Sequence, residues 1–299
     1  MEKIKNKGEP FMKRILFICL ALLLLVPGLA AAEQVIYDKT EPEYKDFEFE
    51  EGTPLLEIFF PKIYGVDSAL VRYGDYTMLI DCAGNQRRAV QDLLDDLGVT
   101  ELTYALNSHP DADHIGGFDR VLKKVPAGEF LLGFPEDYPS GDAVRLEVYD
   151  ALHEYGVPFR RVHHGETIEF GDVKMTVYQR TDEHLPRVNN KSVMMMIEYG
   201  ERRLFFTGDI QRDTQLLLAA DAENLDLKAD IMKFPHHGYG NMQDGFLDMV
   251  DPAFVVCTCG ENNTDGIKQL KEKGIPYILA AKGLRLATDG KVWSIERLK

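Results

Sequence analysis

The chain has 299 residues, 45% of them apolar, and a formal charge of −15 at neutral pH. That apolar share, with no repeat or low-complexity stretch, excludes disordered and fibrous classes and leaves room for one large domain or two small ones. So acidic a body repels polyanions, which argues against a dedicated nucleic-acid binder working by phosphate neutralisation, though not against an oligonucleotide substrate held locally.

Met12-Lys13-Arg14 precedes an apolar run from Ile15 to Val26, then Pro27-Gly28 and Ala30-Ala31-Ala32. A basic start, a short apolar stretch and an A-x-A-like end predict a signal peptide over 1–32 and a protein that works outside the cytoplasm. The run is short of the roughly 20 apolar residues that a spanning helix needs, so membrane attachment is expected only through an uncleaved leader. Cleavage would leave Cys82, Cys257 and Cys259, an odd number that is no disulfide framework and reads as buried thiols.

Residues 33–49 read as an extended, acidic lead-in. Strands are expected at Leu55–Phe60, Ser68–Tyr73 and Tyr76–Asp81, the last two joined by the turn Gly74-Asp75. A helix from Gln86 to Leu97 and a strand Leu102–Asn107 follow. The middle alternates likewise: a strand Phe130–Phe134, a helix Ala143–Tyr155, a hairpin of Ile168–Phe170 and Val173–Tyr178, and a second of Ser192–Tyr199 and Arg203–Thr207. After a helix beyond Asp209 come a strand Ile231–Phe234, a helix near Gln243–Val250 and a strand Ala253–Cys259. Helix Gly266–Lys273 and strands Tyr277–Ala280, Leu284–Ala287 and Val292–Ile295 close the chain. Hairpins followed by mixed strands and helices, twice over, predict two packed sheets with helices outside, and no linker divides the domain expected over 50–299.

The chemistry concentrates in Ser108-His109-Pro110-Asp111-Ala112-Asp113-His114-Ile115-Gly116-Gly117. Four metal-capable side chains fall within six positions between a strand and a helix. In an extended segment His109 and Asp111 project to one side and can share an ion, while Asp113 and His114, where the chain turns into the helix, can aim at a second. Gly116-Gly117 lets backbone pass close to the site. Two later strand ends answer from afar: Leu204-Phe205-Phe206-Thr207-Gly208-Asp209 places a carboxylate at a strand tip, and Phe234-Pro235-His236-His237-Gly238 carries two imidazoles.

The order of these motifs resembles the metallo-β-lactamase superfamily, which implies an α/β (α+β) fold, an αββα sandwich of two mixed β-sheets with helices on both outer faces and a dinuclear site at one edge. Asp81, at the end of Tyr76-Thr77-Met78-Leu79-Ile80, matches that family's buried Asp supporting the metal loop. Within the superfamily the chain is similar to the branch typified by the extracytoplasmic domain of the bacterial competence protein ComEC, where Asp stands as Asp111 does here. The match extends to Gly65-Val66-Asp67-Ser68, Asn189-Asn190-Lys191-Ser192 and Lys233-Phe234-Pro235-His236-His237-Gly238. It departs at Tyr239, where that branch usually has Ser. It departs again at Asn262-Asn263-Thr264-Asp265, where a Gly-His-Pro element is expected, and at Ala280-Ala281, where a Thr-Asp pair is.

The resemblance implies His109 and Asp111 on a first ion, Asp113 and His114 on a second, and Asp209 bridging. It implies one of His236 and His237 completing the second site, with His237 preferred, and the other beside the substrate, able to hydrogen-bond an oxyanion or protonate a leaving group. Asp113, His236 and Asp209 would carry the catalysis, and Asp81, Asp67 and Asn190 would support it. Asn190 or Asn189 falls where many relatives carry a further His ligand; His184 and the pair His163-His164 read as solvated loop residues. Two divalent ions would activate a shared water, and a donor set this rich in carboxylates suits Mn²⁺ beside Zn²⁺. The expected function is hydrolysis of phosphodiester bonds, with a small-molecule or oligonucleotide substrate and no stable nucleic-acid partner. The alternatives are hydrolysis of another ester or amide (a lactone, a β-lactam, a cell-wall phosphoester) and a non-catalytic metal-binding relative.

Overall fold

A computed structural model describes residues 34–136 and 143–298. The expected leader lies outside the described residues, among which no helix is long and apolar enough to cross a membrane.

Among the described residues sixteen strands form two sheets. The first sheet takes β1 (Ile36–Asp38), β2 (Leu56–Phe60), β3 (Ala69–Tyr73), β4 (Tyr76–Ile80), β5 (Leu102–Asn107), β6 (Ala127–Leu132) and β7 (Phe159–Arg161). The second takes β8 (Thr167–Phe170), β9 (Val173–Tyr178), β10 (Met194–Tyr199), β11 (Arg202–Phe206), β12 (Ile231–Lys233), β13 (Phe254–Cys257) and β14 (Tyr277–Leu279). The chain then returns to the first sheet as β15 (Leu284–Thr288) and β16 (Trp293–Arg297), giving the order β1-β16-β15-β2-β3-β4-β5-β6-β7 against β14-β13-β12-β11-β10-β9-β8.

Each sheet starts with antiparallel hairpins and continues in parallel. The pair β3–β4 is antiparallel and β4, β5, β6 and β7 run parallel; β10–β11 is antiparallel and β11, β12, β13 and β14 run parallel. Parallel neighbours need crossovers, supplied on the first sheet by α1 (Arg87–Asp96), α2 (Ala112–Ile115), α3 (Phe118–Lys124) and α4 (Ala143–Tyr155). On the second sheet α5 (Arg212–Ala220), α6 (Asp244–Val250) and α7 (Asp265–Lys273) do the same.

Three apolar layers follow from that arrangement. Ile58, Phe60, Val71, Phe206 and Trp293 fill the space between the sheets. Val90, Phe118, Phe130 and Leu152 pack helices on one outer face, and Met232, Phe246, Val255 and Ile267 on the other. This is the αββα sandwich expected from the sequence. Strand β13 is buried along its whole length, which is why its sequence runs apolar without alternation.

Boundaries differ where burial has another cause. The apolar run expected as a strand to Cys259 leaves the ladder after Cys257, because Thr258 and Cys259 are buried beneath the site rather than within the sheet. Strand β7 was not legible: it is a short edge strand, and its Arg160 pairs with Glu129 and Glu166. Among the described residues Cys82, Cys257 and Cys259 are free and buried.

Candidate metal centre

The first half of the site hangs on Asp81. It follows β4 with a left-handed backbone (φ 56°), which turns its carboxylate back under the next strand. One oxygen accepts from Asn107 Nδ2 (2.9 Å) and the Ser108 amide (2.8 Å). The other takes the Ser108 hydroxyl at 2.6 Å and meets His114 Nδ1 at 2.7 Å. The segment after β5 is thereby fixed, and one turn of helix, α2, presents Asp113 and His114. The double glycine behind it is required by contact: a Cβ on Gly117 would lie 2.0 Å from the Cys82 carbonyl oxygen.

The second half comes from the other sheet. Gly208 has φ 53°, and a Cβ there would meet the Ser192 Cβ at 2.7 Å. That close approach lets the Asp209 amide donate to Ser192 Oγ at 3.2 Å and buries the Asp209 side chain. After β12 the backbone of His236 and His237 is left-handed at both residues (φ 50° and 61°), a conformation costing on the order of 1–3 kcal/mol per residue. The His236 amide, donating to the Gly208 carbonyl at 3.3 Å, and the Cys259 amide, donating to the His237 carbonyl at 3.0 Å, hold it there.

These two halves bring His114, His237, Asp113 and Asp209 face to face. Asp209 Oδ2 lies 3.2 Å from His114 Nε2 and 3.3 Å from His237 Nε2. Asp113 Oδ2 is 3.3 Å from His237 Nε2 and 3.9 Å from His114 Nε2. His109 Nε2 stands 3.6 Å from Asp111 Oδ2, with its ring 4.1 Å from that of His114. His236 is at the rim, 39% exposed, its Nε2 3.9 Å from Asp209 Oδ2.

The donor chemistry fits divalent ions. The Nε2 atoms of His109, His114 and His237 are buried and have no hydrogen-bond partner. Three such atoms in one site are a cost that a cation removes. Each ring is oriented from behind through Nδ1: His114 by Asp81, His109 by Ser108 Oγ (3.0 Å), and His237 by Asp67 Oδ1 and Thr258 Oγ1 (both 3.1 Å). A proton held on Nδ1 leaves the Nε2 lone pair for an ion, as in other carboxylate–histidine–metal arrangements.

Asp67 also has an oxygen within ligand range of the group formed with His114, Asp209 and His237, whose donor atoms all lie within 4.8 Å of one another. Asp67, however, approaches His237 from the Nδ1 side and is in contact with the ammonium of Lys233, so Asp113 is the carboxylate facing the Nε2 atoms.

Lys233 had no role in the sequence-based expectations and proves central. Its buried ammonium touches Asp67, donates to the Gly208 carbonyl at 3.1 Å and sits 3.5 Å from Asp209 Oδ1. The signal was there: a lysine inside the apolar run Ile231-Met232-Lys233-Phe234 is a charge where a core residue belongs. Thr258, which donates to Asp67 Oδ1 at 2.6 Å, carried no such signal.

The charges hold each other in place. Burial pushes the Asp67 carboxyl up, but Lys233 and His237 outweigh it and keep the group well below the carboxylate range. Burial likewise opposes ionisation of Asp209, and His114, His237 and Lys233 overcome it. Burial lowers His114 and His237, yet Asp209 with Asp81 for the one and Asp209 with Asp67 for the other lifts both well above an ordinary imidazole. His236 is different: burial lowers it and the more distant carboxylates do not compensate.

Asn190 stands apart. Its Oδ1 accepts from the backbone of Gln211 (3.0 Å) and Thr214 (3.4 Å), and its Nδ2 donates to the Pro186 carbonyl, so the side chain is spent on the start of α5. His184, His163 and His164 are exposed.

Comparison with known proteins places this geometry. Residues 62–243 match the model of the metallo-beta-lactamase superfamily. The chain is 26% identical over 167 residues to ComE operon protein 3 of Bacillus subtilis, covering 56% of this chain and 21% of that protein. It is 26% identical over 262 residues to the competence protein ComA of Neisseria gonorrhoeae, covering 86% of this chain and 34% of that one. It thus spans a minor part of both relatives. Among solved structures, the metallo-beta-lactamase fold protein YhfI of Bacillus subtilis superposes with a TM-score of 0.53 at 12% identity, over 79% of this chain and 100% of that one. CmlA, a diiron beta-hydroxylase from Streptomyces venezuelae, does so with 0.52 at 15% identity, over 84% of this chain and 55% of that one. Those two likenesses speak for the fold alone, since one fold hosts many chemistries. With the matched family model covering more than half of its length and the histidine–aspartate cluster at one edge of the sandwich, the chain belongs to the metallo-β-lactamase superfamily and is a metal-dependent hydrolase.

Proposed function

We propose that this hydrolase cleaves phosphodiester bonds outside the cytoplasm with two divalent ions, Zn²⁺ or Mn²⁺. Asp113, His114, Asp209 and His237 would hold one ion, and His109 and Asp111, with Asp209 shared, the other. The observation that carries the reading is the convergence of the unpartnered Nε2 atoms of His114 and His237 on the buried Asp209 and on Asp113, with the unpartnered Nε2 of His109 3.6 Å from Asp111. When bound, such ions lower the pKa of a water and stabilise charge on the attacked centre. The competence proteins among the relatives and the carboxylate-rich donor set, which suits hard ions and phosphoryl oxygens, favour a phosphodiester over a β-lactam. The basic and apolar start of the chain supports export.

The chain's own residues then divide the work. Asp81 and Asp67 orient the rings of His114 and His237, and Lys233 keeps Asp67 and Asp209 ionised. Near neutral pH the lowered His236 is uncharged, so at the rim it offers one N–H to a phosphoryl or leaving oxygen.

The test is metal content of the purified chain together with Mn²⁺- and Zn²⁺-dependent hydrolysis of bis(4-nitrophenyl) phosphate, single-stranded DNA and nitrocefin. Two equivalents of metal and diester cleavage abolished by Asp209→Asn are expected. Metal-dependent cleavage of nitrocefin with no action on either diester would overturn the phosphodiester reading.

A further inference from the structure

Beside the metal centre a groove of about 410 Å³ opens past His236, and Arg187, Gln211, Arg212, Tyr239 and Asn241 line it. No carboxylate is among its lining residues, although the chain carries a formal charge of −15. Elsewhere several arginines are matched with acids, Arg72 with Glu57, Arg180 with Asp182, Arg203 with Asp226 and Arg285 with Glu57, while Arg87, Arg145 and Arg297 donate to backbone carbonyls. In the groove Arg187 forms no ion pair among the described residues; its guanidinium donates to Gln211 Oε1 at 3.2 Å. Arg212 is 69% exposed and has only a 3.9 Å approach to its neighbour Asp213.

Two further features point to a ligand. Arg187 is held at φ 68°, a left-handed backbone that a long side chain rarely adopts and that occurs where structure clamps a ligand. Tyr239 leaves 42% of its surface open beside the groove, with its ring 5.8 Å from that of His237. The groove is therefore cationic, hydrogen-bonding and aromatic, and it meets the metal centre at His236.

Building on the phosphodiester reading, we propose that this groove is a subsite for a second phosphate of the substrate, one linkage away from the diester attacked at the metal centre. Arg187 and Arg212 take the phosphate oxygens, with Gln211 and Asn241 as neutral donors. The substrate is then a chain of phosphodiesters rather than an isolated one. Its acidic surroundings keep nonspecific polyanions at a distance while the groove retains the phosphate next to the reacting one.

The test uses the metal-loaded chain and a phosphorothioate-linked dithymidine that resists cleavage, with no terminal phosphate, a 5′-phosphate or a 3′-phosphate, bound at low salt and followed by calorimetry. One of the two terminal phosphates is expected to tighten Kd roughly tenfold. In Arg187→Ala/Arg212→Ala that ratio falls toward one, and lysine at both positions restores part of it. Arg212→Ala alone, at an exposed position, serves if the double variant does not fold. A glycerol-phosphate dimer with and without its terminal phosphate separates the sources. Equal gains in both series support a subsite for phosphate alone, and a gain confined to the nucleotide supports one that also uses Tyr239. No gain from either terminal phosphate in both series, or a gain unmoved by the arginine substitutions, overturns the proposal. Hydrolysis of bis(4-nitrophenyl) phosphate, which has no second phosphate, reports on the phosphodiester reading separately.

Discussion

Replacing Lys233 by methionine keeps an unbranched side chain, one atom shorter, and removes its charge. In the folded chain that ammonium serves two buried carboxylates and one carbonyl: Asp67 in direct contact, Asp209 Oδ1 at 3.5 Å and the Gly208 oxygen at 3.1 Å. The side chains of Lys233, Asp67 and Asp209 are 3%, 8% and 1% exposed, so solvent screens almost none of the loss. Breaking one buried pair by deleting a partner costs about 3–5 kcal/mol, chiefly the penalty of the charge left behind. For a domain of this size that corresponds to a fall in Tm of roughly 6–20 °C. Protonating the stranded carboxylates relieves the penalty, so the deficit of Lys233→Met against the parent should shrink at pH 4. Added Mn²⁺ or Zn²⁺ should also return part of it at pH 7, because a cation neutralises Asp209. Thermal unfolding followed by circular dichroism, with and without metal at both pH values, checks all three. A metal-free variant within about 1 kcal/mol of the parent at pH 7 would refute the assignment of Lys233 as the counter-ion of this cluster.

Other perturbations test the rest of the frame. The raised values of His114 and His237 contribute stability that is whole below the ordinary value of 6.5 and is lost as pH rises through the folded values. The lowered Asp67 and Asp209 contribute stability that is present above 3.8 and is lost on acidification through theirs. The Tm of the EDTA-treated chain should therefore decline from pH 6.5 to 9, and a steady rise over that range would contradict it. Metal uptake at pH 7 should release protons into a weakly buffered indicator solution, since ions bind the unprotonated rings. Gly208→Ala forces a Cβ to within 2.7 Å of Ser192 at φ 53° and should cost about 1–3 kcal/mol while displacing Asp209, seen as lower metal occupancy by mass spectrometry. Asn190→Ala removes the acceptor at the start of α5 and should cost about 0.5–2 kcal/mol in denaturant melts with metal content near the parent's. Loss of metal on that substitution would return Asn190 to the centre.

The layers of the fold were legible because period and burial coincide: β5 and α4 lie where the apolar pattern of 102–107 and 143–155 puts them. The neighbourhood of 109–114 with 209 and 237 was legible because metal-capable residues at successive strand ends have few other reasons to occur together. What stayed hidden depends on contacts across the chain. Asn190 reads as a supporting residue where many relatives carry a His ligand, and what its Oδ1 supports, the amides of Gln211 and Thr214 more than twenty positions onward at the start of a helix, shows only in the fold. Strand β7 has no apolar alternation to announce it, and Lys233 declares its role only once Asp67 is folded against it.

The cluster is divided between two distant stretches of chain. Asp67 to His114 belongs to the first sheet, and Asp209 to Thr258 belongs to the second. The bonds that join them span very long loops: Asp67 meets His237 across 170 positions and Thr258 across 191. Closing loops of that length is entropically late work, so the donor set assembles only once the two sheets have docked. Neither half alone contains the complete site, and the appearance of full metal binding during refolding times the docking of the halves rather than the formation of either.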